Sequence, residues 1–179
     1  MKHLPAALLA SALILMGAIP AKADHALARE DIAQGEEPRV FDVAQHDSRM
    51  RAAVHEAQRT VGVFILALRH PAAGESDFEV KKPFRQGDVV EHIWLADVTF
   101  SGNRFTGYID NKPRKIKGLK LGDRVSVNAN EISDWAFLDN GRLIGGYTIR
   151  VLYMELSAAD KAALAKEARF RIGAANQGK

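Results

Sequence analysis

The spacing of apolar positions changes once along this chain, from a helical period to an alternating one. Met50, Ala53, Val54 and Ala57 recur at intervals of three and four, and Asp47 or Ser48 stands in front of them as an N-cap. The run "VGVFILAL" continues with Val61, Phe64, Ile65 and Leu68 on one stripe until Pro71 and Gly74 end it. It reads as a second helix or as a buried strand, because periodicity alone does not separate the two. Upstream, residues 24 to about 38 are polar and acidic, with Gly35 and Pro38 as breakers. They predict a flexible lead-in, and "RVFDVA" after them a short edge strand. From Asp77 the period falls to two. "DFEVKKPF", "DVVEHIWLADVTF", "RFTGYID" and "LGDRVSVNA" read as strands, the second long enough to be central. Asn140-Gly141 between "DWAFLD" and "RLIG" is a hairpin signal. "YTIRVLYMEL" fits a strand or a helix, and helix is the reading adopted. "SAADKAALAKEARFRIG" opens on a capping box, Ser157 with Asp160, and stops at Gly173. The pattern predicts an α+β fold: an antiparallel meander of about five to six strands, flanked by an N-terminal and a C-terminal helix. The organisation follows: a lead-in over 24–45, one domain over 46–156, and a C-terminal helix and tail over 157–179.

The first 23 residues are set apart from that fold. Lys2 and His3 precede the apolar "AALLASALILMGAI", Pro20 breaks it, and "AKA" at 21–23 offers the small residues a signal peptidase reads. This predicts a signal peptide cleaved between Ala23 and Asp24. The apolar run from Ala6 to Ile19 is 14 residues, short of the roughly 20 that span a bilayer, so no stable membrane anchor is expected. The chain has no cysteine, which excludes disulfides, thiolate ligands, thiol catalysis and an N-terminal lipid. A soluble protein of the bacterial periplasm is the expectation. Two of the 25 basic side chains, Lys2 and Lys22, leave with the signal, so 23 face 22 acidic ones. That balance gives no reason to expect a nucleic-acid partner.

In "VVEHIWLADV" an acid and an imidazole interrupt an apolar run. Successive side chains of a strand point to opposite faces, so His92 shares a face with Val90, Trp94, Ala96 and Val98, and Glu91 with Val89, Ile93, Leu95 and Asp97. Glu91 and His92 therefore cannot clasp one ion unless a bulge intervenes, and each needs its own partner. "HEAQR" at 55–59 has Arg59 where the zinc-helix motif needs its second histidine, so no metal site is expected and no cofactor is implied. No Gly-x-Ser-x-Gly elbow, phosphate loop or dinucleotide fingerprint occurs. "NKPRKIKGLK" sets Lys112, Arg114, Lys115, Lys117 and Lys120 in nine residues without an acid, between two strands. It reads as a solvated loop, or as a contact for an anionic surface. Lys81, Lys82 and Arg85 extend it only if the fold brings them near. Asp134, beside Trp135, is expected to accept backbone N–H bonds in a turn or to pair with Arg150, with Glu91 the other candidate partner for Arg150.

"EHIWLADV", "FTGYIDNKP", "GLKLGDRVSV", "ISDWAF" and "GRLIGGYTIRVL", with "MRAAVHEAQRT" before them, follow the order and spacing of the YegJ-like family, a domain of unknown function (DUF2314), which the chain resembles over about residues 46–156. The resemblance implies a small α+β domain with no agreed activity. It marks Glu91, His92, Asn111, Asp134, Thr148 and Arg150 as shared polar positions, and Trp94, Pro113 and Trp135 as shape-setting ones. Some relatives lie beside toxin–antitoxin or immunity-type genes, which implies binding. The expectation is a non-enzymatic periplasmic binding or accessory protein that contacts a protein or an anionic envelope component. Two rivals stand beside it: an immunity-like protein neutralising an envelope-directed toxin, and a hydrolase using His92 with Glu91 or Asp134.

Overall fold

The structure is a computed structural model that describes residues 40–167 and 170–173. The segment read as a signal peptide, with the cleavage expected between Ala23 and Asp24, and most of the expected lead-in lie outside them. Helix α1 runs unbroken over Val40–Arg69, about 45 Å at 1.5 Å per residue. It answers the helix-or-strand question at "VGVFILAL" and replaces the strand expected at "RVFDVA". Apolar residues at 40, 41, 43 and 44 follow a helical interval rather than an alternating one. Asp47 and Ser48, expected ahead of the helix, fall inside α1. Ala53, Ala57 and Phe64 are buried along its inner stripe.

Six strands follow: β1 (Glu75–Gln86), β2 (Val89–Ser101), β3 (Arg104–Ile109), β4 (Arg124–Asn128), β5 (Asp134–Asp139) and β6 (Arg142–Gly145). Every pairing is antiparallel. Their order is β4-β3-β2-β1-β5-β6, so the meander ends at β4 and the β5–β6 hairpin joins the far side of β1. In a flat sheet β1 and β4 would stand roughly 14 Å apart. Yet the Lys82 ammonium on β1 donates to the Ser126 carbonyl on β4 at 2.6 Å. The sheet is therefore strongly curled, and residues 129–133 suffice to carry the chain back. Asn140 and Gly141 both have positive φ, 49° and 74°, as the hairpin turn requires.

One face of the sheet buries Val80, Ile93, Leu95, Phe105, Ile109, Val127, Trp135 and Phe137 against Ala57 and Phe64 of α1. On the other face Trp94, Ala136, Leu138 and Leu143 meet Ile149, Leu164 and Phe170. Those last residues belong to α2 (Tyr147–Glu155), α3 (Ala158–Glu167) and the segment after it. "YTIRVLYMEL" is thus helical, the reading adopted for it, and the helix expected after Ser157 follows it. The Ser157–Asp160 cap is present, with the Asp160 N–H donating to Ser157 Oγ at 3.1 Å. Helix α3 ends at Glu167, before the expected stop, and Arg171 forms a parallel bridge with Arg142 of β6.

Two bulges shift the alternation. At Asp97 (φ 50°) two residues of β2, Asp97 and Val98, oppose Gly107 alone. Val98 consequently joins Ile93 and Leu95 in the α1 core rather than sharing the Trp94 face, which corrects the unbroken alternation expected there. Asp77 (φ 53°) begins a matching irregularity on β1, between Ser76 and Glu79.

Candidate functional site

Glu91 and His92 do look in opposite directions, and each has its own partner. The Glu91 carboxylate accepts three successive backbone N–H bonds, from Arg114 at 2.7 Å, Lys115 at 2.8 Å and Ile116 at 3.0 Å. Partial burial would raise its pKa, but those three donors and the charge of Lys115 hold the carboxyl below its ordinary value. Nδ1 of His92 lies 2.8 Å from Ser133 Oγ. Burial, then the charges of Lys81 and Arg85, push its pKa down, which favours the neutral ring. Its neighbours across an open groove of about 500 Å³ are Met50, Arg51, Val54, His55 and Gln58 of α1. Neither Glu91 nor Asp134 is hydrogen-bonded to His92. The acid/base arrangement of the hydrolase alternative is therefore not assembled, and Ser133, its actual partner, is buried.

Asp134 is wholly buried and occupies the start of α2. It accepts the N–H groups of Trp135, Tyr147 and Thr148, and the Thr148 hydroxyl at 2.6 Å. Gly146, the residue before α2, offers no side-chain cap, and Asp134 takes that part from the sheet. Burial raises its pKa, against the lowering pull of Lys81 and of these hydrogen bonds. Lys81 is itself buried, donating to Thr148 Oγ1 at 3.1 Å with its ammonium 5.3 Å from the Trp94 ring. Arg150 pairs with neither carboxylate proposed for it. Its guanidinium donates to the carbonyls of Leu143, Gly145 and Gly173, joining β6 to the segment after α3. Trp135 Nε1 donates to the Ala57 carbonyl at 2.9 Å and so ties β5 to α1. The polar positions that the resemblance marked thus make contacts within the fold, some of them to the loop described next.

Residues 110–122 form a compact loop with a closed neck. The Ile109 N–H donates to the Asp123 carbonyl at 2.9 Å, and the Gly122 N–H to the Ile109 carbonyl at 2.8 Å. Such Ω-loops are packed by their own side chains and often functional. Asn111 accepts the Trp94 N–H at 2.7 Å, Ile116 is buried, and Gln86 exchanges hydrogen bonds with both backbone groups of Lys117. With Glu91 beneath residues 114–116, the backbone is fixed along its length. Pro113 is partly buried, whereas Lys112, Arg114, Lys115, Lys117 and Lys120 are all exposed. Lys112, Lys117 and Lys120 form no ion pair among the described residues. Of the three extensions considered, Lys81 is buried and Lys82 is turned to Ser126, which leaves Arg85 exposed at the strand end carrying Gln86.

Sequence reasoning missed Gln86, Ser133 and a buried acid, Glu79, and it set Lys81 with the basic loop rather than beside Thr148. Among the described residues no hydrogen-bond partner lies within reach of either oxygen of Glu79, of Asp110 Oδ2 or of Trp94 Nε1. Burial, then the charges of Asp110, Asp77 and Asp97, raise Glu79 well above the carboxylate range. Burial and Asp97 push Asp110 up to about 6. Glu79 alternates with Phe78 and Val80, a pattern that reads as a solvent face; only the packing behind the sheet reveals it as interior. Among the described residues no three acidic or histidine side chains converge as metal ligands, and no helix is long and apolar enough to cross a membrane.

A family model for an uncharacterized protein conserved in bacteria, DUF2314, matches residues 47–170, a span that takes in α3. The chain is 31% identical over 130 residues to a Neisseria meningitidis serogroup B protein named "Putative ankyrin repeat protein", covering 68% of this chain and 51% of that one. It is 33% identical over 100 residues to the uncharacterized protein YegJ of Escherichia coli K12, covering 56% and 64%. The chain thus spans between half and two thirds of the length of these curated relatives. No solved structure matches it. The loop, its Glu91 anchor and the sheet that positions them all fall inside the matched span, and the chain belongs to the DUF2314 family.

Proposed function

We propose that this domain is a non-enzymatic binding module of the periplasm, which contacts a protein or an anionic envelope component through the cationic loop 110–122. One observation carries the reading: five exposed cations stand on a backbone that Glu91 and Gln86 hold in place. A loop needing only solubility has no use for a carboxylate spent on three of its amides. A fixed backbone lowers the ordering cost of binding, and the clustered positive charge of Lys112, Lys117 and Lys120 draws an anionic partner by long-range attraction. Ankyrin repeats, which the name of the Neisseria relative records for that protein, generally present binding surfaces, in keeping with an association role. Export rests on the N-terminal signal pattern, and a mature chain beginning at Asp24 in the periplasmic fraction is its expected mark.

The test is capture from periplasmic extract by the mature protein and by a variant carrying Lys115→Glu, Lys117→Glu and Lys120→Glu, over a range of salt. The reading expects a component retained by the wild type, lost by the variant and released by salt. Equal recovery by the two proteins, or none by either from the extract and from washed envelope membranes, refutes it.

A further inference from the structure

We infer that the anionic component is a lipid bilayer, on which loop 110–122 docks with Leu121 entering the headgroup layer. The inference rests on the binding role proposed for this loop and names its partner. Leu121 is 62% exposed, although it is a large aliphatic side chain on a loop whose other apolar residues turn inward: Ile116 is buried and Leu119 packs against the main core. It stands between Lys120 and Gly122, and Gly118 and Gly122 have φ of 88° and 84°, a backbone that L side chains rarely adopt. The chain thus turns sharply on both sides of Leu121 while the neck hydrogen bonds fix the loop's base. Asp123, the acid at the neck two residues from Leu121, is engaged with the Lys120 N–H at 2.8 Å and so serves the turn.

The composition of the crest favours lipid over protein. Four of its five cations are lysines, compact charges suited to a diffuse layer of phosphates, whereas a fixed carboxylate partner is better met by the planar fork of arginine. Protein interfaces are anchored by aromatic side chains in pockets, and residues 110–122 contain no aromatic. A cluster of basic residues beside an exposed aliphatic side chain needs no shaped pocket. Charge brings it to the surface, and burial of the leucine holds it there. Val89, 41% exposed, pairs with Gln86, the residue that holds Lys117, and adds a second exposed apolar side chain close to that anchor.

Co-sedimentation of the mature chain with vesicles of phosphatidylglycerol in phosphatidylcholine, and with phosphatidylcholine alone, tests this. Binding is expected only with the anionic lipid and should fall with salt. Each of Lys115→Gln, Lys117→Gln and Lys120→Gln should weaken it about five-fold, and Leu121→Ser roughly ten-fold. All four positions are exposed, so the variants should keep the wild-type melting curve. A Leu121→Trp reporter should shift its emission to the blue on anionic vesicles. Absence of anionic-vesicle binding at low salt overturns the inference, and so does binding that ignores Leu121→Ser and the lysine variants. If vesicles fail while loop-dependent capture from extract persists, the lipid inference falls and the binding role stands; if both fail, both fall.

Discussion

Asp110 and Glu79 show how a single position can set the response of the fold to pH. In the unfolded chain Asp110 titrates near 4, and in the folded chain it is pushed up to about 6 by burial and by Asp97. Between those values the folded state keeps a proton that the unfolded state has released, so stability falls as pH rises through that window. The cost is complete above it and absent below it. Glu79, raised well above its ordinary value, acts in the same direction. Asp110→Asn should therefore gain on the wild type as pH goes from about 4 to 7, by on the order of 1 kcal/mol after allowance for partial solvation. Urea denaturation at a series of pH values measures the gap, and a gap that does not change with pH refutes the assignment. Glu79→Met removes a buried acid with neither oxygen satisfied. A buried polar group left without a partner costs about 1–3 kcal/mol, and a gain within that range is expected at pH 7.

At the scale of elements, the Ω-loop depends on an acid that does not belong to it. Glu91→Ala leaves three amides without their acceptor, a loss of about 1–3 kcal/mol. Amide exchange at Arg114, Lys115 and Ile116 should accelerate while the β1–β2 pairing stays protected; unchanged exchange there would show that Glu91 does not order the loop. Because its carboxyl is held below the ordinary value, its contribution is present above that value and is lost as acid titrates the folded form. Gly107 is a second element-level constraint. A Cβ there would meet the Ala96 carbonyl oxygen at 2.7 Å and a Val98 methyl at 2.8 Å, since the Asp97 bulge pushes β2 toward it. Gly107→Ala should lower the melting temperature markedly, and a tolerated substitution would mean the bulge can relax. Much of this scale was legible beforehand. The strands of the sheet, the Asn140-Gly141 hairpin and the separation of Glu91 from His92 all follow from spacing. The bulges did not, because Asp97 and Asp77 look like ordinary polar alternates until the partner strand is known. Nor did the partner of Arg150. Its three backbone carbonyls leave no trace in side-chain chemistry, whereas the carboxylates that seemed to suit it were already engaged with backbone amides.

For the whole molecule, the return of the chain from β4 to the far side of β1 creates two cores rather than one, and a period-two pattern cannot announce a strand order. The core under α1 includes Phe64, Trp135 and Phe137, with Trp135 and Phe137 stacked at 6.1 Å. The core behind the sheet is smaller and is closed by the C-terminal segment, through Leu164 and Phe170, each 6% exposed. That segment is also tied by backbone. The Leu143 N–H donates to the Arg171 carbonyl at 2.9 Å, the Arg171 N–H to the Gly141 carbonyl at 2.8 Å, and Arg150 reaches Gly173. A chain ending at Leu156 loses the burial of two large side chains, roughly 3–6 kcal/mol at ordinary transfer values. Against a typical net stability of about 5–15 kcal/mol, the shortened domain should melt far lower and expose the Trp94 side of the sheet to quenchers of indole fluorescence. A chain ending at Gly173 keeps every contact named here and is the reference for that loss. The contrast between the two truncations, rather than either alone, measures the second core. If both melt alike, the helix and tail merely lie on the sheet, and α1 with its own core carries the fold alone.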